Sequence, residues 1–283
     1  MSTRPTAGAA EPEPAPRLRD LLAAEWIKIR SLRSTYWVLA LSAVAAIAIN
    51  LNAVHSDLRY LDHPPRLAAG LTIPRYDPLW HGLNSIAADV ITLAAAVFGA
   101  ITVFGEYTTG LIRATFAAVP DRRAVVAAKI ITVTGITLPL GVLVAAVSFF
   151  GSNAMLASRH VGLSIGDDGC LRAVAGYALA VPVCALVGMA IGAVLRHATA
   201  SVSTVVGLLF LAPMLFGGDR YRLLREIGNC LPLTAEARLA LNPHTSASLG
   251  LYPPTVTGAW LTLAGWALAG AAVTVVAVRR RDA

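Results

Sequence analysis

Six stretches of this sequence are long and apolar enough to cross a bilayer, and no other feature constrains the fold as much. They are residues 36–54, 85–104, 130–151, 173–195, 199–217 and 259–278. A hydrocarbon core about 30 Å thick calls for about 20 consecutive apolar residues per helix. Composition agrees, since 56% of the 283 residues are hydrophobic and only 14% are charged, where a soluble domain carries about a quarter charged. The expected fold is an all-α integral membrane protein with six transmembrane helices, leaving little chain for a soluble domain.

The segments flanking the first span read differently. Residues 1–16 form a Pro- and Ala-rich stretch (PTAGAAEPEPAP) expected to be a disordered leader, and residues 17–34 (RLRDLLAAEWIKIRSLRS) are basic. The first span lies too far in, and lacks a small-residue cleavage site, to read as a signal peptide, so it is expected to be retained. Residues 35–283 then make the six-span domain. With six spans, fourteen of the 23 Lys and Arg fall on one side and nine on the other, which by the positive-inside rule puts both termini in the cytoplasm. Fusing spans four and five would strand Arg196 and His197 near the midplane at a cost of several kcal/mol, so the two are read as separate. Lys28 and Lys129 are the only lysines; this Arg-rich usage fits a GC-rich genome and a bacterial plasma membrane. Tyr36, Trp37, Trp80, Tyr107 and Trp260 lie near span ends, where aromatic rings anchor at headgroup level.

Residues 17–34 have helical periodicity. Leu18, Leu21, Leu22, Trp26, Ile29 and Leu32 share one stripe while Arg19, Asp20 and Arg30 point away, the pattern of an amphipathic helix lying on the inner membrane surface. Glu25 falls inside the apolar stripe. It either pairs with Lys28 nearly one turn on or bonds another cytoplasmic element.

Few residues offer chemistry. No Gly-Lys dipeptide occurs, so there is no Walker A loop, and the six His stand apart without His-Glu-x-x-His or Cys-x-x-Cys spacing. No catalytic, cofactor or metal site is expected, and no nucleic-acid partner; His63 and His81 read as solvated loop residues. Gly162-Leu-Ser164-Ile-Gly166 spells G-x-S-x-G, but that motif needs a strand before the Ser and a helix after it, and here it falls in a short loop between spans. Cys170 and Cys230 would both face outside, where a disulfide is open to them. Asp89 is the only clear acid within a span. Its helix has to begin before it and carry it slightly inside the outer edge, making it either a shallow carboxylate reaching water or part of a translocation path. Ser201 and Thr204, in a hydroxyl cluster with Thr199 and Ser203, are the other candidates for such a path. Gly188 and Gly192 permit close helix packing in span four.

The longest polar interruption in the first half is FGEYTTGLIRATFAAVPDRRAVVAAK, Phe104 to Lys129. Thr108 to Val119 has room for about three helical turns, with Leu111, Ile112, Phe116 and Val119 grouped along one side and Pro120 ending it. Asp121 is a fair N-cap for the next helix. With Arg113, Arg122 and Arg123 the segment suits either an amphipathic loop on anionic lipid or a docking element.

Taken in order, AEWIKIRSLRSTYW before span one, FGEYTTGLIRATFAAVP closing span two, DRRAVVAAK leading into span three and LPLTAEARLALNP before span six resemble the membrane subunits, or permeases, of ATP-binding-cassette exporters of the second exporter type (ABC-2). The resemblance runs over nearly the whole chain. It implies short external re-entrant helices before the last span, a second permease copy, which is either identical or a paralogue, and a separate ATP-hydrolysing subunit. It also makes residues 108–119 a coupling helix docked on that ATPase through Leu111, Ile112, Arg113, Phe116 and Pro120, with Glu106 matching the acidic residue at the end of span two. Glu25, Trp26 and Lys28 are the marked positions of the interfacial helix. On this reading the chain is no enzyme itself but a transporter subunit whose mostly apolar spans favour a hydrophobic or amphipathic substrate. The competing class is an ATPase-independent polytopic protein, a secondary transporter or a scaffold. A secondary transporter is expected to break its helices around midplane ionisable groups; Pro139, Pro182 and Pro213 interrupt spans, but no charge accompanies them at depth.

Overall fold

A computed structural model of the chain describes residues 17–31, 33–62, 77–119, 121–157, 159, 161–218, 221–241 and 252–281. The expected leader 1–16, Leu32, His63 and Pro120 lie outside the described residues. Those described form helices and connecting turns, with no strand among them. Among the described residues six helical stretches are long and apolar enough to cross a membrane: 33–59, 78–108, 122–157, 170–195, 198–216 and 256–280.

The first helix, α1 (Leu18–Ser31), precedes the first spanning helix, α2 (Arg33–Asp62). A short α3 (Pro78–Gly82) leads into α4 (Ser85–Thr108), and α5 (Leu111–Ala118) bridges to α6 (Arg122–Ala157). After α7 (Cys170–Leu195) the fifth span consists of α8 (Ala198–Val206), a π-helical turn at Gly207–Leu211 and α9 (Ala212–Phe216). Two short helices, α10 (Arg222–Asn229) and α11 (Pro232–Ala240), precede α12 (Val256–Arg281). All six expected spans are found, and most run past their apolar limits because helical residues continue beyond the hydrophobic run. At 1.5 Å per residue α6 is about 54 Å long, well over a hydrocarbon thickness.

Span five changes pitch for a reason in its sequence. Pro213 has no N–H to donate and its ring crowds the carbonyl four residues back, and the π turn takes up the strain immediately before it. Spans four and five are separate, as expected. α7 stops at Leu195, Arg196 turns the chain with φ 53°, the one non-glycine residue at positive φ among those described, and His197 Nδ1 accepts from Ala200 N–H at 3.4 Å to start α8.

The bundle is built around α7, which packs against α4, α6, α8, α11 and α12. Small residues set these approaches. A Cβ on Gly188 would lie 1.8 Å from Ala96 O, and one on Gly99 would lie 2.0 Å from Ala185 O, so α4 and α7 meet backbone to backbone. Gly192 faces Ala100 in the same way, so the Gly188/Gly192 pair is a packing seam. Gly141 against Ala178 O does the same for α6 and α7.

One end of the bundle carries α1, α5 and most of the cations; the other carries α3, α10 and α11. At the second end Asn50 Nδ2 donates to Ser148 Oγ (2.9 Å) and Asn50 Oδ1 accepts from Asn84 N–H (2.8 Å), pinning α2 to α6 and to the start of α4. His81 is no solvated loop residue: its Nδ1 lies 2.7 Å from Asp57 Oδ2, joining α3 to α2. Cys170 is buried, Cys230 is exposed and both are free thiols, so the two are not joined. Ser164 stands in an exposed turn where its N–H donates to Asp167 Oδ2 (2.7 Å), with no strand to make a nucleophile elbow.

Candidate functional site

The most organised polar site lies where α1, α4, α5 and α6 meet at the basic end. Glu25 on α1 and Glu106 on the last turn of α4 are 2% and 6% exposed, and Lys129 on α6 is 5% exposed. Carboxylates so placed stay charged only if cations reach them. Both lysines of the chain do so. Lys28 Nζ donates to Glu25 Oε1 (2.7 Å) and Glu106 Oε1 (2.8 Å), and Lys129 Nζ donates to Glu106 Oε1 (2.9 Å) and, in a short contact, to Glu25 Oε2. Two acids and two bases form a closed, neutral ring across three helices.

Sequence dictates who can join this ring. Leu21, Glu25 and Ile29 recur every four residues and form the buried face of α1, so Glu25 belongs to the apolar stripe because that stripe faces α6. Leu21 packs on Val125 and Ala128 of α6. Leu18 and Trp26, assigned to the same stripe in the sequence, are about half exposed instead. Glu25 thus makes both contacts weighed for it: the Lys28 pair and a bond to another element. Burial works against a charged Lys28, but the hydrogen bonds and charges of Glu106 and Glu25 outweigh it and raise the amine above its ordinary value.

Lys129 was not singled out in the sequence. The available signal was composition: against 21 arginines the chain has only two lysines, and both stand here. A compact ammonium can offer its three protons to separate acceptors, which a planar guanidinium cannot do from the same point.

The hinge helix joins the ring through one side chain. Thr115 Oγ1 accepts from Lys28 Nζ at 3.4 Å and donates to Leu111 O at 3.1 Å. The helix is shorter than expected, beginning at Leu111 and not at Thr108. Gly110 takes φ 72°, a left-handed conformation that ends α4 and lets the chain turn into α5. Asp121 caps α6 as expected, its Oδ1 accepting from Arg123 N–H (3.0 Å) and Ala124 N–H (3.2 Å).

The faces of α5 are distributed differently from the single apolar side read in the sequence. Phe116 turns inward, packing against Leu21, Val125 and Ala128 with the Arg122 guanidinium 5.2 Å over its ring. Ile112 and Arg113 line an open groove of about 950 Å³ shared with Tyr107, Arg122 and Arg196, where Arg196 stacks 4.2 Å over Tyr107. Leu111 is 44% exposed, and Ala114, Ala117 and Ala118 are exposed too. No residue of α5 is buried.

The other path candidates do not join one another. Asp89 is half-buried near the start of α4, at the end opposite the ring; Ser201 is fully buried and Thr204 exposed on α8, near the basic end. Among the described residues no group of three or more His, Cys, Asp or Glu is placed to hold a metal ion.

No family model matches the chain, and no curated protein does either.

Proposed function

We propose that this chain is the membrane-spanning permease subunit of an ATP-driven exporter of the ABC-2 type, working as a pair of permease chains with a separate ATP-hydrolysing subunit. The observation that carries the reading is α5: a short helix with no buried residue, projecting from the basic end, yet tied through Thr115 to an ion ring that spans α1, α4 and α6. A helix held this way with one face left open suits a docking element whose displacement reaches two spans and the N-terminal helix together. Its outward surface of Ala114, Ala117 and Ala118 beside Leu111 is small enough to admit close contact with another protein. On this reading the basic end faces the cytoplasm of a bacterial cell, with both chain termini there, and α1 lies along the lipid headgroups, a position that suits its exposed Trp26.

The test is copurification of an ATP-binding subunit with the tagged chain from native membranes. Ala114→Arg with Ala118→Arg is expected to abolish it while the chain stays inserted. An ATPase retained at full stoichiometry by that variant removes the docking role from α5.

A transporter working without an ATPase is the second reading, and one observation favours it. A buried ionisable group, Glu236, lies on α11 among the spans. Wild-type chain that transports with no ATPase attached would select this reading.

A further inference from the structure

Glu236 lies on α11, which is not one of the six spans but enters among them. Leu233, one turn before it, packs against Ala96 of α4, Cys184 of α7 and Leu209 of span five. Ala235 and Leu239 pack against Val183 of α7 and Ala259 and Leu263 of α12. Contact with α7 is tight enough that a Cβ on Gly176 would lie 2.7 Å from Leu239 Cβ. Cys184 lies fourteen residues into α7, about 21 Å along its axis, so α11 reaches well into the bundle.

The carboxyl is 2% exposed and its Oε1 has no hydrogen-bond partner. The groups that sense Glu236 are titratable but not cationic. They are Asp89 from α4 and Tyr177 and Cys184 from α7. Each cation on or beside α11 is occupied elsewhere. Arg172 of α7 donates to the carbonyls of Leu239 and Leu241, Arg238 to Pro254 O (2.7 Å), Arg225 of α10 to Gly217 O (2.6 Å), and Arg222 pairs with Glu226 (2.7 Å). From α12, Trp266 gives its indole N–H to Cys230 O (2.7 Å); the arginines of α12 are at its far end. The contrast with Glu25 and Glu106 is direct, since each of those buried acids meets two lysines.

We propose that Glu236 is a proton-binding site inside the bundle, paired with Asp89 across the α11–α4 contact, and that its proton keeps α11 seated between α4, α7 and α12. A carboxyl without a cation in an apolar surround holds its proton, and losing it puts an uncompensated charge beside a second acid. Burial, and then the Asp89 charge, push the Glu236 carboxyl up to about 8. This inference does not depend on which driving force moves the substrate.

Dicyclohexylcarbodiimide, which partitions into membranes and attacks protonated carboxyls, is the probe. The acid adds across one C=N bond, its proton going to nitrogen and its oxygen to the central carbon. The O-acylisourea then rearranges to a stable N-acylurea carrying the whole reagent mass, with nothing oxidised or released. With the full chain in native membranes, mass spectrometry is expected to find the adduct on Glu236 at pH 6.5, with labelling falling about tenfold by pH 9. Glu236→Gln is expected to lose the adduct, and Asp89→Asn to move the fall to lower pH. Because a seated helix could shield the group from reagent, the infrared carbonyl band of a protonated carboxylic acid is read in parallel. Absence from both measurements at pH 6.5, labelling that does not change between pH 6.5 and 9, or an Asp89→Asn profile identical to wild type would overturn the proposal.

Discussion

Lys129 Nζ donates to Glu106 Oε1 at 2.9 Å, joining the second turn of α6 to the last turn of α4 across a separation of twenty-three positions. The same Glu106 oxygen accepts from Lys28 at 2.8 Å, so the hinge is closed at its base by a charge pair and latched from the side by α1.

Removing one member of that ring leaves a buried charge uncompensated. Lys129→Met is expected to destabilise the purified chain by about 3–5 kcal/mol, the usual cost of breaking a buried pair from one side. Adding Glu106→Gln restores neutrality, since Glu25 and Lys28 remain as a pair. Thermal unfolding in detergent is expected to show the double variant as more stable than the sum of the singles, with a coupling of about 0.5–3 kcal/mol. Strict additivity would show that the ring does not act as a unit.

Gly110 tests the hinge backbone alone. Nothing lies within 4 Å of a Cβ built there, and its φ is 72°, so Gly110→Ala brings conformational strain without a clash. The expected loss is about 1–2 kcal/mol, with Gly110→Asn losing less because Asn tolerates the left-handed region. Equal stability of all three would mean that the turn relaxes to another conformation.

Gly188 and Gly265 separate packing from propensity. A Cβ on Gly188 meets Ala96 O at 1.8 Å, whereas Gly265 has nothing within 4 Å. Gly188→Ala forces α4 and α7 apart and is expected to cost about 1–3 kcal/mol, visible as lost folded protein on size-exclusion chromatography. Gly265→Ala, on a helix with room, is expected to be neutral or slightly stabilising.

How much of this could be read from the sequence follows from range. The six spans, the break at Arg196, the Gly188/Gly192 packing and the Asp121 cap were legible because each depends on neighbours within a few turns. The ion ring was half legible: Glu25 stood out as an acid in an apolar stripe, but its partner Lys129 is 104 positions away, and periodicity carries no such information. The outward face of α5 was misread for the same reason, because Phe116 is turned by α1 and α6 packing on it and not by its own helix. Glu236 was missed because α11 lies in a connection between spans, where acids are ordinarily solvated; only the packing of Leu233 and Leu239 carries it inside.

The buried Glu236 also makes a pH prediction. Its folded value of about 8 lies above the ordinary 4.5, so the folded chain holds a proton that the unfolded chain releases between those limits. The proton's contribution is complete below pH 4.5, declines as pH rises towards 8 and is constant above it. Relative to Glu236→Gln, wild type is therefore expected to lose unfolding temperature from pH 5 to pH 8 and no further by pH 9. A difference between the two that stays flat from pH 5 to 8 contradicts a buried protonated carboxyl.

The claim that α5 docks on an ATP-hydrolysing partner is tested most directly by contact. With the photoreactive amino acid benzoylphenylalanine at Ala114 or Ala118, and at exposed Leu143 in the apolar stretch of α6 as control, cells are illuminated and adducts of the tagged chain are identified by mass spectrometry. Both α5 positions are expected to capture a nucleotide-binding subunit, and Leu143 is not. Adducts from Ala114 and Ala118 to lipid or to the chain itself, with no ATP-binding protein among them, would contradict it.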